Sequence, residues 1–133
     1  MVIDTSALIA ILQQEPEAGP YARAIGSDPV RLVSSVTALE TAIVIESRKG
    51  LSGGRDLDLL LQEAKAEVVP FTVEQFEIAR GAYRKFGKGR HPAALNFGDC
   101  CTYALAKVSG EALLAKGNDF PQTDIHLTSL DAG

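Results

Sequence analysis

The sequence predicts an α/β fold, with a central, mainly parallel sheet and helices on both of its faces. Short apolar runs alternate along the chain with segments of helical periodicity, the order expected of strand–helix–strand units. The runs are short and mainly apolar, which is typical of strands covered on both faces. The chain has 133 residues, enough for one domain with one core. We therefore expect a single three-layer α/β/α domain over residues 1–133.

The first quarter of the chain is predicted to contain two strands and two helices. Met1–Ile3 is a short apolar run, and Thr5 or Ser6 is a suitable N-cap for the helix that follows it. Pro16 between two glutamates is typical of a helix start, because proline suits the first turn and acids favour the N-terminus. In chain order the predicted elements are strand 1–3, helix 6–13, helix 15–25 and strand 31–34.

The middle of the chain is predicted to contain two long helices and a strand. The segment SVTALETAIVIESRK is strongly helical, and Gly50 after it is a typical stop. Leu57, Leu60 and Leu61 recur at helical spacing and predict a second helix. The segment EVVPF has the composition of a strand. The predicted elements are helix 35–49, loop 51–54 (LSGG), helix 55–67 and strand 67–71.

The last part of the chain is predicted to contain two helices and two strands. Thr72 and Gln75 form a plausible capping pair at the start of a helix. The helix DCCTYALAKVS stops at Gly110, and the apolar run ALLA follows as a strand. The predicted elements are helix 72–86, loop 87–96, helix 99–109, strand 112–115, turn 116–124 and strand 125–128.

Charge and cysteine content restrict the possible classes of protein. The net charge of −4 disfavours a simple DNA-binding module, which gains from long-range attraction to phosphates. Cys100 and Cys101 are adjacent and lack the spacing of a zinc site, so they suit a reducing compartment. No secretory signal and no apolar run of roughly 20 residues, the length of a membrane span, is evident. We expect a cytoplasmic protein without membrane contact.

Three acidic residues stand where a parallel α/β fold places its active edge. Asp4 follows the first strand, Asp99 begins a helix, and Asp119 follows the ALLA strand. Each also has a structural interpretation. Asp4 or Asp99 would cap a helix and stabilise the folded protein by about 1 kcal/mol. Asp119 would form a turn.

Glu40 is the fourth acid of interest. Its helical neighbours at three and four positions are largely apolar, which predicts that it lies on a core-facing stripe; they are Val36, Thr37, Ile43 and Val44. A carboxylate on such a stripe needs a partner, because an unpaired buried charge is costly. That partner is either an Arg or Lys side chain or a cation shared with the other acids.

The four acids together favour a shared metal site. Several carboxylates within a few ångström repel one another, so such a cluster is stable when protonated or bound to cations. Oxygen ligands without nearby His or Cys favour Mg²⁺ or Mn²⁺ over Zn²⁺. Mg²⁺ held by a few carboxylates typically takes phosphate oxygens as further ligands. The pattern therefore points to phosphoryl chemistry.

Four segments of the chain carry a family resemblance: VIDTSALIAIL, ALETAIVIESR, LNFGDCCTYALAK and LLAKGNDFPQTDI. In this order and spacing they resemble the PIN-domain ribonucleases, and most closely the VapC-type toxins of bacterial toxin–antitoxin pairs. The resemblance covers essentially the whole chain. It implies a parallel sheet between helices, a carboxylate cluster that binds Mg²⁺ or Mn²⁺, and metal-assisted hydrolysis of RNA.

The resemblance also implies roles for individual residues. Asp4, Glu40, Asp99 and Asp119 match the family's catalytic and metal-binding cluster, with Glu40 acting through water or orienting the attacking water. Ser6 matches the hydroxyl beside the first acid, and Asn96 lies just before the third. Many relatives carry another acid where this chain has Asn118, so the number of metals stays open. A homodimer and a VapB-like antitoxin are the partners that the resemblance implies.

A basic stretch precedes the Asp99 helix and contains Arg84, Lys85, Lys88 and Arg90. It is either a solvated helix end and loop or a rim that binds RNA phosphates beside the metals. Among the neighbouring aromatic residues, Tyr83, Phe86 and Phe97, core packing is favoured over base stacking. Cys100 and Cys101 are predicted to be buried, and His91 and His126 do not suggest an acid–base pair.

Other classes also place acids at strand ends. A haloacid-dehalogenase-type phosphatase requires a second aspartate two residues after Asp4, where this chain has Ser6. A response-regulator receiver requires paired acids after its first strand and a phosphorylatable aspartate in mid-chain, where this chain has Glu40. Both phosphoaspartyl alternatives fit poorly. A non-catalytic RNA-binding protein of the PIN shape is a third alternative.

Overall fold

The structure is a computed structural model that describes residues 1–130. Six α-helices and four short strands alternate along the chain. In order they are β1 (Val2–Ile3), α1 (Thr5–Leu12), α2 (Ala18–Ser27), β2 (Leu32–Ser34), α3 (Ser35–Lys49), α4 (Leu51–Glu63), β3 (Glu67–Val69), α5 (Val73–Phe86), α6 (Phe97–Ser109) and β4 (Leu113–Leu114), followed by a 3₁₀ turn at Phe120–Gln122. Among the described residues, no helix has both the length and the apolar character to cross a bilayer.

The four strands form one parallel sheet in the order β3-β2-β1-β4. Val2 pairs with Leu32 on one side and with Leu113 on the other, so β1 is central. The carboxyl ends of parallel strands share one edge, and β1 therefore delivers Asp4 to the same edge at which β4 ends. The predicted α/β class and mainly parallel sheet are confirmed.

Helices cover both faces of the sheet and give it two separate apolar layers. One layer centres on Val2 and Leu113 and packs against α5 and α6. The other centres on Ile3 and Val33 and packs against α1, α2 and α4. Alternate residues of the short strands thus enter opposite cores, which explains why both residues of β1 and of β4 are apolar and buried. The edge strand β3 is more exposed and begins with Glu67.

Two predicted element boundaries are wrong. The LSGG segment is not a loop but the first turn of α4, which begins at Leu51 directly after Gly50. Residues 125–128 do not form a strand; one parallel bridge joins Leu127 to Leu113. The remaining differences are shifts of a few residues at element ends.

Glycine inside α4 is explained by close packing of this helix against α3. Gly53 is buried, and a Cβ there would lie 2.7 Å from the carbonyl oxygen of Ile45. Gly53 therefore lowers the intrinsic stability of α4, but it allows the backbones of α3 and α4 to approach closely. This tertiary benefit is invisible in the LSGG sequence itself, where two glycines suggest a loop.

A Gly53→Ala substitution is expected to destabilise the protein by about 1–2 kcal/mol. Overpacking against Ile45 costs more than the roughly 1 kcal/mol that alanine gains in a helix. Urea unfolding should show a lower midpoint with an unchanged slope. Gly54→Ala is the matched control, because the Cβ there meets only the flexible carboxylate of Glu46. Equal midpoints for the two variants would contradict the packing explanation.

Candidate active site

Asp4 is buried at the end of β1, with 4% of its surface exposed. Its Oδ2 accepts hydrogen bonds from the backbone N–H of Ser6 (3.0 Å) and from the Ser6 hydroxyl (2.7 Å). Asp4 is thus the N-cap of α1, and the prediction that Thr5 or Ser6 serves as the cap is wrong. Its other oxygen, Oδ1, accepts from the Thr102 hydroxyl at 2.7 Å.

Ser6 connects the two strands that meet at this edge. Its Oγ donates to Asp4 and accepts from the backbone N–H of Lys116 at 2.8 Å. Lys116 lies two residues after the end of β4 and leads into the Asp119 turn. The hydroxyl therefore fastens that turn to the carboxylate at the end of β1.

Glu40 projects from α3 toward the start of α1 and of α6. Its Oε1 accepts a hydrogen bond from the Thr5 hydroxyl at 2.5 Å. A Cβ at Gly98 would lie 2.6 Å from Oε1 and closer still to Oε2, so only glycine leaves room for this carboxylate. Within residues 1–130 the hydrogen-bond partner of Glu40 is the Thr5 hydroxyl, and no Arg or Lys side chain there forms an ion pair with it.

The predicted orientation of α3 needs correction. The buried face of this helix consists of Thr37, Thr41 and Ile45, whereas Ile43 is 61% exposed. Glu40 lies between the two faces and is partly buried. Of the predicted stripe, Thr37 is buried, Val36 and Val44 are half-buried and Ile43 faces solvent, so the stripe lies at the edge of the buried side of α3.

Asp99 sits in the first turn of α6 and forms a reciprocal capping box with Asn96. The Asn96 side chain accepts from the Asp99 N–H at 2.9 Å, and the Asp99 carboxylate accepts from the Asn96 N–H at 3.1 Å. Burial raises the pKa of Asp99 to about 6, and the negative charges of Asp4, Asp119 and Glu40 add to the rise. The Asn96 N–H opposes this shift because it favours the charged carboxylate.

Asp119 lies on the turn after β4, immediately before the 3₁₀ turn, and its side chain is exposed. Its negative charge adds to the rise in the pKa of Asp99. The neighbouring Asn118 is also exposed, and its carbonyl accepts from the Gln122 side chain. The fold thus brings all four predicted acids to the same edge of the sheet.

No basic side chain neutralises these acids within residues 1–130. The ion pairs there involve Asp28, Glu111, Asp124, Glu15 and Glu17. Nor do three Asp, Glu, His or Cys side chains in this range already converge as a metal-binding group. The oxygens of Asp4 and Glu40 accept instead from hydroxyl groups. An uncompensated set of oxygen donors is chemically suited to Mg²⁺ or Mn²⁺.

Sequence analysis missed four residues that position the acids. Thr102 binds Asp4 and lies 3.1 Å from the Thr37 hydroxyl, so a buried chain of hydroxyls supports the carboxylate. Thr5 holds Glu40, and Gly98 makes space for it. One signal was available for Thr102, which stands three residues after Asp99 and therefore near it on the helix.

The four residues of the basic stretch lie in different surroundings in the structure. Arg84 and Arg90 line a cavity that also contains Phe97 at the start of α6, whereas Lys85 lines a separate groove with Tyr103 and Lys107 farther along α6. Lys88 is exposed in the following loop. Arg80, one helical turn before Arg84, lines the same cavity and was missed.

The aromatic residues near the site differ in their solvent exposure. Phe86 is buried as predicted, but Tyr83 and Phe97 are 42% and 75% exposed, which contradicts core packing for both. Cys100 and Cys101 are buried free thiols, as expected, and burial raises the pKa of each to about 11.

Comparison with known proteins assigns the chain to a family. A family model described as "PIN domain" matches residues 1–125. The chain belongs to the PIN-domain family. This PIN-domain chain is 53% identical to ribonuclease VapC30 of Mycobacterium tuberculosis (strain H37Rv), over 98% of the chain and 99% of that protein. It is 58% identical to ribonuclease VapC of Mycolicibacterium smegmatis, over 94% of the chain and 97% of that protein.

A solved structure shares the fold of the PIN-domain chain. The crystal structure of Mycobacterium tuberculosis VapC20, described as a sarcin-ricin loop cleaving toxin, superposes with a TM-score of 0.76. It is 20% identical and covers 93% of this chain and 95% of its own. The resemblance to PIN-domain proteins of the VapC type is confirmed, and the two phosphoaspartyl alternatives, which require other families, are not supported.

Proposed function

We propose that the protein is a Mg²⁺- or Mn²⁺-dependent endoribonuclease and the toxin of a VapBC-type pair. The observation that carries this proposal is the set of four acids, Asp4, Glu40, Asp99 and Asp119, at one edge of the sheet without a basic partner among the described residues. Membership of the VapC family supports RNA as the substrate.

Asp4 and Asp99 are the proposed principal metal ligands, with Glu40 and Asp119 completing the cluster. Their oxygen donors suit a hard divalent cation. Burial is the main cause of the raised pKa of Asp99, and the charges of the other three acids add to it. A bound ion would lower the pKa of a coordinated water and neutralise charge on the scissile phosphate. The number of ions, one or two, depends on Asp119, because Asn118 occupies the place of a further acid.

The chain's own residues orient these acids. Ser6 and Thr102 each donate to one oxygen of Asp4 and fix the plane of its carboxylate. Thr5 fixes Glu40, which we propose orients the attacking water. We propose no side-chain nucleophile. His91 accepts from the Ala93 N–H and packs edge-on against Phe86, so its role is structural.

Two partners are proposed from the family. A groove on α3 is lined by Val36, Leu39, Ile43 and Val44, and it ends at Glu40. We place the tail of a VapB-like antitoxin there, with apolar residues in the groove and a basic residue at Glu40. A homodimer in the cytoplasm remains a prediction; light scattering should give twice the 14.1 kDa mass of the chain.

The test of the proposed activity is cleavage of RNA by the purified protein with Mg²⁺ or Mn²⁺, with and without EDTA. Cleavage should require the metal and should be lost in Asp4→Asn, because this carboxylate is the buried ligand at the end of β1. RNA binding that the metal never converts into cleavage would support the non-catalytic PIN-like alternative. Equal cleavage by wild type and variant would exclude the proposed site.

Reversing the charge of Arg84 is expected to weaken RNA binding more than reversing that of Lys85. Arg84 lines the cavity beside α6, whereas Lys85 faces a different groove with its ammonium 5.1 Å from the Phe86 ring centroid. Binding measured across a salt series should lose about one unit of slope in log Kd against log salt for Arg84→Glu. Lys85→Glu is the matched control. Unchanged affinity of Arg84→Glu at moderate salt would exclude the phosphate-binding rim.

A further inference from the structure

The cavity between α5 and α6 has a composition that the metal site does not explain. It has a volume of about 510 Å³, within the roughly 300–1,000 Å³ typical of small-ligand pockets. Six of its lining residues matter here: Phe76, Tyr83, Phe97, Arg80, Arg84 and Arg90. We call this cavity the α5–α6 pocket.

Exposed aromatic side chains concentrate in the α5–α6 pocket. Phe76, Tyr83 and Phe97 are 46%, 42% and 75% exposed, and they are all the exposed Phe and Tyr side chains of residues 1–130. The other aromatic rings in that range are buried or partly buried. A cluster of solvent-facing rings around a concave surface marks a binding site rather than chance exposure.

The charge around the α5–α6 pocket is opposite to that of the chain as a whole. The chain carries a net charge of −4, but three arginines line this one cavity. None of them forms an ion pair within the part of the chain that the structure describes. The Arg90 guanidinium lies over the Tyr83 ring, 5.5 Å from its centroid. Unpaired guanidinium groups beside aromatic faces suit a ligand that combines planar rings with anionic groups.

The α5–α6 pocket adjoins the carboxylate cluster. Phe97 forms part of its wall and also lines the α3 groove that contains Glu40. Asp99 follows Phe97 by two residues in the first turn of α6. A polymer whose phosphate reaches the acids would therefore pass the rings of the pocket with an adjacent unit.

We propose that the α5–α6 pocket holds one unstacked base of a single-stranded RNA next to the scissile phosphate. The base stacks on Tyr83 or Phe97, and Arg84 and Arg90 bind the phosphates that flank it. This inference rests on the proposed nuclease function. It adds that the substrate must be unpaired at the cut, because a base held in a duplex stack cannot enter the pocket.

The experiment measures binding of short oligouridine RNAs to the full chain carrying Asp99→Asn in the presence of EDTA, so that both the substitution and the removal of metal suppress cleavage. One RNA carries a 2-aminopurine nucleotide, whose fluorescence changes when it stacks on a ring. A second RNA has an abasic nucleotide at the same position, and a third is paired with its complement. We expect a fluorescence change and roughly tenfold tighter binding of the first RNA than of the other two.

Substitution of Phe97 by alanine should remove this difference between the base-containing and abasic RNAs. Leu51→Ala is the control, because Leu51 is 73% exposed on α4 and outside the pocket. Equal binding of the two RNAs, or equal behaviour of the Phe97→Ala and Leu51→Ala variants, would overturn the inference and leave the pocket to a protein partner.

A parallel assay separates this inference from the nuclease proposal. Wild-type protein with Mg²⁺ is tested for cleavage of the unmodified oligouridine and of a longer mixed-sequence RNA. Cleavage without any effect of the abasic nucleotide would refute the base pocket alone. Absence of cleavage together with base-dependent binding would refute the nuclease proposal and support the pocket.

Discussion

An Asp99→Asn variant is expected to lose RNA cleavage by a factor on the order of 10²–10³ while its metal-free form becomes more stable than wild type. Activity falls because a proposed metal ligand is removed. Stability rises because burial and three neighbouring acids oppose the charge of Asp99. Asparagine keeps an oxygen acceptor for the Asn96 N–H, so the start of α6 is preserved.

The gain in stability should depend on pH in a defined direction. The pKa of Asp99 is raised from 3.8 to about 6 in the folded protein, so the folded state binds more protons than the unfolded state in this interval. The stability of metal-free wild type therefore falls as pH rises from about 4 to 6. Urea unfolding in EDTA should show Asp99→Asn to be the more stable form above pH 6, with the difference vanishing near pH 4.

Asp124→Asn is the matched control for Asp99→Asn. Asp124 accepts from the Tyr103 hydroxyl at 2.7 Å and pairs with Lys107 at 2.8 Å, and neither contact belongs to the cluster. This substitution should leave cleavage unchanged and cost at most about 1 kcal/mol, because the pair is exposed. If Asp99→Asn lost stability in EDTA as Asp124→Asn does, the uncompensated cluster would be refuted.

A Gly98→Ala variant is expected to reduce cleavage by about 10²-fold with little change in the free energy of unfolding. The new methyl group collides with the carboxylate of Glu40, which is the flexible end of a side chain and can turn away. This side-chain rotation costs little folding energy, but it breaks the contact with Thr5 and moves Glu40 from the position in which we propose that it orients the attacking water. Cleavage rates and urea midpoints measure the two effects separately.

Gly54→Ala provides the control for this substitution. A Cβ at Gly54 would lie 2.6 Å from a carboxylate oxygen of Glu46, the same kind of collision in another helix and away from the cluster. Both variants should unfold within about 1 kcal/mol of wild type, since alanine also favours the helix. Only Gly98→Ala should lose activity. Similar activities in the two variants would remove Glu40 from the mechanism.

Much of the local structure was predictable because it depends on neighbouring residues. Thr72 caps α5 through the Gln75 N–H, and Gly110 ends α6 in the left-handed conformation, both as the sequence indicates. The capping box of Asn96 and Asp99 is equally local, since the two residues are three positions apart. Capping interactions between residues a few positions apart do not depend on how the rest of the chain packs.

Predictions failed where a helix carries apolar residues on more than one face. Periodicity placed Thr37 and Ile43 on one core-facing stripe beside Glu40, but Thr37 is buried and Ile43 faces solvent. In the same way, Tyr83 and Phe97 looked like core residues and face solvent. Sequence periodicity states which side chains share a face, and only packing against other elements decides which face is covered.

The sequence by itself determined the α/β alternation, the position of Asp4 after β1, and an all-oxygen set of acids. The tertiary structure decided how these parts meet. Thr102 reaches Asp4 across 98 positions, Ser6 meets Lys116 across 110, and Thr5 meets Glu40 across 35. Such contacts depend on β1 lying between β2 and β4, an arrangement that arises from burying both faces of the sheet at once and that local preferences do not specify.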